Sequence, residues 1–395
     1  MNEWRKVKLG EIGEIVSGGT PKTTIKKYWN GNISWLTPKD FSNKSYNKYW
    51  NKGERSITKE GLENSSAKLL PKGTVLFTSR APIGYIGIAE TNLCTNQGFK
   101  NIVVNGENSN EFTYYLLKFI TPQIINIAGG STFKEISATA LRDFEVCIPK
   151  SKKYQGKIAK ILSDIDKKIE LNNKINDNLE KLIFLIYQNI FSNNIIKKEC
   201  KMNEYFDISI GKTPPRKNQE YFSNNSDNNL WVSILDMKSS GIYINKSSEY
   251  LTDEAIKKCN IKIIPKNTLL LSFKLTIGRI AITYLDKTTT NEAIAHFLTD
   301  KKGATEYLYC YLKKFNFNTL GSTSSIATAV NSKIIKEMPF IVPQEKDLEN
   351  FYNLVKPLFE NIKNNQIASE KLINLKNYLL PRLMNGEIDV EKIEL

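Results

Sequence analysis

The chain has 395 residues, a net charge of +15, five cysteines and one histidine. That length gives two or three domains, each able to bury its own core. The basic excess favours a polyanionic partner, nucleic acid or an acidic membrane face, although an AT-rich genome also inflates Lys, Asn and Ile. The cysteines are odd in number and form no C-x-x-C pair, which excludes a disulfide framework and a cysteine zinc site and fits a reducing compartment. With no apolar leader after Met1, and Leu182 to Tyr187 as the longest apolar run, the expectation is a soluble, cytoplasmic protein without membrane contact.

Taken in chain order, the first landmark is the glycine turn Ser17-Gly18-Gly19-Thr20-Pro21-Lys22, where backbone could approach a phosphate. It lacks P-loop spacing, and a plain turn reads better. Trp35-Leu36-Thr37 opens a strand-rich region, followed by Lys39 and the lone acid Asp40. Residues 41–52, with Lys44, interleave aromatics, amides and lysines as nucleic-acid loops do, and equally as a polar loop with an aromatic anchor does. Residues 74–79, 80–84 and 85–89 read as strand, turn and strand, with Arg80 and Gly84 in the turn. A cation there could contact phosphate or guanine, and it could also be a charge solvated at a hairpin tip. Gly129-Gly130-Ser131-Thr132 is a small hydroxyl-rich turn ahead of Ile148-Pro149.

From Gln155 to Phe191 the period becomes helical, with no proline. One seam series is Ile158, Ile165, Asn172, Leu179 and Ile186. The other is Leu162, Ile169, Asn176, Ile183 and Ile190. Only the two asparagines are polar, and they sit one turn apart, the pattern of a coiled coil with a register-setting polar layer. Roughly 37 residues at 1.5 Å each give a rod of about 55 Å.

The same landmarks then return, 193 to 196 residues later. Gly211-Lys212-Thr213-Pro214 answers the glycine turn, and Trp231-Val232-Ser233 with Asp236 answers Trp35 and Asp40. Ile264-Pro265-Lys266-Asn267-Thr268 answers Leu70-Pro71-Lys72-Gly73-Thr74, and the hairpin with Lys274, Gly278 and Arg279 answers Arg80 and Gly84. Residues 321–325 answer the hydroxyl-rich turn. A second seam follows: Phe351, Val355, Leu358, Ile362, Asn365, Ser369, Leu372, Lys376, Leu379 and Leu383, with its polar pair in the matching place. Packing of the two seams on each other would make an antiparallel rod; each helix packed on its own module is the alternative. Pro357 predicts that the second rod starts or kinks there. A constant offset means a duplicated module that grips two similar things, or one extended thing twice.

Catalytic chemistry is thin. His296 reads as structural, and the chain has no dinucleotide fingerprint, Walker motif or Asn-Pro-Pro-aromatic tetrapeptide. Asp40 and Asp236 stand alone and read as structural. The chain reads as a binder without catalytic residues, metal or cofactor. Its candidate DNA contacts are Lys39, Lys44, Arg80, Gly84, Lys212, Lys274, Gly278 and Arg279.

The duplicated Leu/Ile-Pro-Lys-x-Thr-hydrophobic stretch and Ile-Gly hairpin, the segment Ile161-Leu162-Ser163-Asp164-Ile165-Asp166-Lys167-Lys168-Ile169-Glu170, and the tail Leu379-Leu380-Pro381-Arg382-Leu383-Met384-Asn385-Gly386 together resemble specificity subunits of type I restriction–modification systems. The resemblance covers nearly the whole chain. It implies an α+β fold with an internal pseudo-two-fold repeat: target recognition domains at 1–153 and 193–343, coiled-coil helices at 154–192 and 344–383, and a tail at 384–395. Each domain would read one half of a split double-stranded DNA target while the helices set the unread spacer. Two adenine-N6 methyltransferase subunits would dock on Leu162, Ile165, Ile169, Leu179, Leu358, Ile362, Leu372 and Leu379. S-adenosylmethionine would sit in those partners, and ATP and magnesium in restriction subunits. Two other readings stay open: a coiled-coil scaffold with two protein-binding modules, and a stand-alone DNA methyltransferase or nuclease.

Overall fold

The computed structural model describes residues 3–43, 47–130, 134–192, 198–320 and 330–393. The chain divides into two compact units, Met1–Glu170 with Glu370–Leu395, and Leu171–Ser369. Both dividing points fall inside long helices, Lys152–Phe191 (the central helix) and Glu345–Met384 (the distal helix). Each helix therefore gives one segment to each unit.

In the first unit a five-stranded sheet has the order Gly13–Ser17, Lys100–Val104, Val75–Ser79, Ile83–Ala89, Tyr49–Trp50. Only the last pairing is parallel. A three-stranded sheet sets Trp29–Leu36 between Arg55–Ile57 and Cys94–Thr95. Trp4–Lys8 pairs with Glu145–Pro149 as a separate ribbon at the foot of the unit's helices. Helix Asn110–Ile127 covers the larger sheet, burying Phe112, Tyr115, Leu116, Leu117 and Ile120.

The second unit has three counterpart sheets, the smaller one with four strands in place of three. Its five-stranded sheet runs Asp207–Ile210, Ile294–Leu298, Leu269–Ser272, Ile280–Thr283, Tyr243–Ile244, again with only the last pairing parallel. Phe222–Ser223, Glu249–Leu251, Asn229–Val232 and Thr288–Thr290 make the smaller sheet, and Lys198–Lys201 pairs with Pro339–Val342. Each head is α+β with mixed sheets, as expected from short apolar runs broken by turn residues.

Within each unit the two helix segments run antiparallel. In the second unit Asn172 Nδ2 donates to Ser369 Oγ at 3.1 Å, and Asn365 Nδ2 to Asn176 Oδ1 at 2.9 Å. In the first, Lys376 Nζ donates to Asp166 Oδ1 at 2.6 Å. Seam residues Ile158, Leu162, Ile183, Phe351, Val355, Ile362 and Leu383 are buried. Asn172 is 1 % exposed, so its bond to Ser369 is needed: an unpaired buried amide costs about 1–3 kcal/mol.

Pro357 does not start the distal helix, which begins at Glu345 and continues through it. Losing one helical hydrogen bond there costs about 3 kcal/mol. Phe351, Val355 and Phe359 bury fully around it, at about 1.5–3 kcal/mol each, and hold the turn helical.

Candidate nucleic-acid interface

The glycine turn is built the same way in both heads. Gly18 and Gly211 lie so close to the strand beyond them that a Cβ would meet the Asn96 carbonyl or the Thr290 hydroxyl at 2.0 Å. Trp35 Nε1 donates to the Gly19 carbonyl at 2.9 Å, and Trp231 Nε1 to the Lys212 carbonyl at 3.4 Å. The close approach is to the chain itself, and the turn is a buttress.

Above each turn lies a perpendicular aromatic pair. Trp29 and Trp35 have ring centroids 5.0 Å apart, and Phe222 and Trp231 5.7 Å apart. A guanidinium covers both rings in each head: Arg55 at 3.6 and 5.4 Å, Arg216 at 4.4 and 4.7 Å. Sequence reasoning missed these arginines. Arg55 faces Trp35 across a strand pair whose register shifts between Trp29 and Ile33, and no local pattern reveals that shift.

Asp40 and Asp236 do matching structural work. Asp40 accepts from the Thr37 amide, the Thr37 hydroxyl and the Glu54 amide, and Asp236 from the Ser233 amide, the Ser233 hydroxyl and the Ser248 amide. Each caps a short helix and ties it to the strand that follows. His296 is fully buried between Ser209 Oγ at 3.0 Å and Thr290 Oγ1 at 2.6 Å, and burial pushes its pKa down to about 3. It is a neutral core residue.

The candidate contacts are scattered in environment. Lys39 pairs with Glu54 at 3.1 Å, and Arg80 with Glu135 at 3.4 Å beside Lys100. Lys212 donates to the Cys259 carbonyl and Arg279 to the Ile234 carbonyl. Lys274, Gly278 and Arg279 share one hairpin, and Arg80 and Gly84 its counterpart. Gly84 and Gly278 have φ of 101° and 88°, and a Cβ would strike Thr121 or Phe317, so both are packing glycines. Among the described residues Lys274 forms no salt bridge, although the Glu292 carboxylate feels its charge. Beside it Leu275, with φ of 60°, is fully exposed at the hairpin tip, a feature that no motif announced. Lys44 lies outside the described residues, as do Ser131, Thr132 and residues 321–325. Of the aromatic stretch 41–52, Phe41 and Trp50 are buried and stacked at 4.1 Å, and Lys48 is buried against Glu111. These side chains serve the interior.

The helix positions expected to meet partners also point inward. Leu162 and Ile362 are 0 and 1 % exposed, Ile165 is buried, and Ile169, Leu179, Leu358, Leu372 and Leu379 are half-buried. A partner could not reach the buried ones without opening the unit. On the central helix the exposed apolar residues lie on a neighbouring face: Leu171, Ile175, Leu182 and Leu185 fall within about 80° of arc at 100° per residue, and the distal helix exposes Leu354, Ile373, Leu375 and Tyr378. Among the described residues no cluster of three or more His, Cys, Asp or Glu could hold a metal, and no helix is long and apolar enough to cross a membrane.

Comparison with known proteins places this architecture. The chain matches the family described as Type I restriction modification DNA specificity domain over residues 1–181 and again over 195–370. The chain belongs to that family. It is 33 % identical to the Type I restriction enzyme MjaIX specificity subunit of Methanocaldococcus jannaschii, over 99 % of this chain and 95 % of the relative. It is 22 % identical to the Type I restriction enzyme HindI specificity subunit of Haemophilus influenzae, over 98 % and 100 %. A crystal structure of a type I restriction–modification system S subunit from M. genitalium shares the fold, with a TM-score of 0.56 at 16 % identity over 96 % of both chains. The two matches of this specificity family divide the chain as the two heads do.

Proposed function

We propose that the chain is the non-catalytic DNA-reading subunit of a type I restriction–modification complex, each head reading one half of a split double-stranded target. The observation that carries this reading is the repetition of one three-sheet head in both units, buttressed alike at the glycine turn. On this reading the two heads are related by a pseudo-two-fold axis. The central and distal helices form an antiparallel coiled coil whose length sets the unread spacer, registered by the Asn172–Ser369 and Asn176–Asn365 layer.

Methylating a base requires taking it out of the stack, and the matched Asp40 and Asp236, with His296, are committed to structure. Two adenine-N6 methyltransferase subunits would supply that pocket and hold S-adenosylmethionine. Restriction subunits would bring ATP and magnesium, and the assembly would work in the cytoplasm. The helix residues that would dock the methyltransferases are the exposed Leu171, Ile175, Leu182 and Leu185 rather than the buried seam.

The test is selection from a random duplex pool by the chain assembled with its methyltransferase partner. Two short fixed blocks separated by unselected bases support the reading. One contiguous block, or no enrichment, overturns it. Because phosphate contacts release counterions, binding should also fall steeply with salt.

A further inference from the structure

We propose that Arg55 is a phosphate-backbone contact of the first head, and that Arg216, its spatial counterpart in the second, is muted by an ion pair with Glu249. The proposal rests on the DNA-reading function above and names a contact within it.

The two guanidiniums hold one place but come from different chain positions. Trp35 and Trp231 are matched strand residues, and their cross-strand neighbours are Arg55 and Glu249. Where the first head has Arg55, the second therefore has a carboxylate. Its guanidinium comes from Arg216, just beyond the glycine turn, and the matched position in the first head is Thr23. The aromatic pair keeps its cationic cover although the residue that provides it has moved.

An exposed cation over a ring gains only about 0.5–1 kcal/mol, a weak reason by itself for a head to regain a guanidinium from another element. Stacking does something else of use. It fixes the guanidinium plane in advance while leaving its N–H edge in water, so less entropy is lost when a phosphate arrives. Arg55 is exposed, holds its guanidinium carbon 3.6 Å from the Trp29 ring centroid, and has no carboxylate partner among the described residues. Lys22, also exposed, is adjacent: Trp29 Nε1 donates to its carbonyl at 3.3 Å. Arg55 thus offers exposed guanidinium donors, unpaired among the described residues and suited to a phosphodiester, with the exposed Lys22 on the chain segment beside it.

Arg216 sits in the same geometry with its edge occupied. Its two terminal nitrogens donate to the Glu249 carboxylate at 2.7 and 2.9 Å, a bidentate pair that satisfies the donors a phosphate would use. Glu249 also places negative charge where DNA would approach. The two heads therefore differ in how strongly this site attracts the duplex.

The experiment uses the chain in complex with its methyltransferase partner and measures duplex affinity across a salt series, with cognate and scrambled DNA. Arg55→Met keeps an apolar stem on the rings and removes the charge. It should weaken binding about three- to tenfold on both duplexes and lower the slope of log K against log salt by about one. Arg55→Lys should restore most of the slope. Glu249→Gln should tighten binding and steepen the slope by about one, as Arg216 is freed. Unchanged affinity and slope in Arg55→Met would overturn the contact. A loss confined to one base position of the cognate site would overturn the phosphate assignment. An unchanged slope in Glu249→Gln would overturn the muting of Arg216. If the wild-type complex bound no duplex at all, the DNA-reading function itself would fall, so the two failures are distinguishable.

Discussion

The two units fasten the same head to the same pair of helices by different chemistry. In the first, Tyr115 OH donates to Asp166 Oδ2 at 2.7 Å, Lys376 bonds the other oxygen, and Lys48 reaches Glu111, Tyr115 and Ser163. Burial alone would raise the Asp166 pKa, but Lys376, the nearby Lys118 charge and the Tyr115 hydroxyl together outweigh it and hold that carboxyl below its usual range. In the second unit the matched tyrosine, Tyr309, donates to Glu180 at 2.6 Å, the half-exposed Lys313 pairs with the same carboxylate at 3.4 Å, and beside them pack the rings of Tyr187, Phe191, Tyr307, Phe351 and Phe359. One tyrosine-to-carboxylate bond persists, while the larger ionic cluster on one side gives way to one outer ion pair and aromatics on the other. The architecture tolerates this because both solutions fill a buried layer and give the junction tyrosine a carboxylate acceptor.

The contrast breaks most readily at Asp166. Asp166→Ala leaves Lys376 and the Tyr115 hydroxyl buried without their anion and should cost about 3–5 kcal/mol. Glu180→Ala strands one tyrosine hydroxyl and the half-exposed Lys313, and should cost about 1–2 kcal/mol. Hydrogen exchange under rising denaturant, read separately for each unit, checks this. Equal losses would mean that the ionic and aromatic junctions are equivalent.

Mild acid should act on the second unit first. His296 is neutral when folded but protonates near pH 6.5 when unfolded. The unfolded state thus binds the extra proton, and stability falls as pH drops below about 6.5, continuing toward 3. The loss should reach about 2–3 kcal/mol by pH 4.5. Asp166, with its lowered pKa, acts in a lower window: its contribution is complete above the ordinary carboxylate range and is lost only as pH falls through the lowered value. His296→Gln should flatten the second unit's response between pH 6.5 and 4.5. Exchange rates in which the first unit loosened earlier would contradict this order.

The smallest effect sharpens the picture at high pH. Burial pushes the Lys118 pKa down to about 8, a cost present below pH 8 and relieved as pH rises toward 10.5. Lys118→Met should raise the melting temperature of the first unit at neutral pH, by about 2–4 °C per kcal/mol relieved. It should also remove the gain between pH 8 and 10.5.

Much of this was legible in the sequence, because the repeat and the seam are periodic. Isoleucines and leucines at heptad spacing had to face a common interior, and the matched polar pairs Asn172/Asn176 and Asn365/Ser369 do hydrogen-bond across it. The lone aspartates after Trp35 and Trp231 were readable as structural, and the caps they form came only with the structure. The candidate interface was not legible to the same degree. Whether Arg80 or Lys39 is free depends on Glu135 and Glu54, and those partners come from other strands and loops. Arg55 and Arg216 converge on one place from unmatched positions, which no alignment of the two halves could reveal. Pro357 does not mark the helix start because the burial around it outweighs its local cost.

The most direct test lengthens the rod at the points where the two units divide. One helical turn of four residues would be inserted between Glu170 and Leu171 and again between Ser369 and Glu370. The rise of about 6 Å should widen the unread spacer by about one or two base pairs. Long-read sequencing of modified adenines in cells carrying this variant and its methyltransferase partner would show the result. Unchanged half-site bases with a longer spacer are predicted, whereas altered half-site bases with an unchanged spacer would contradict the account.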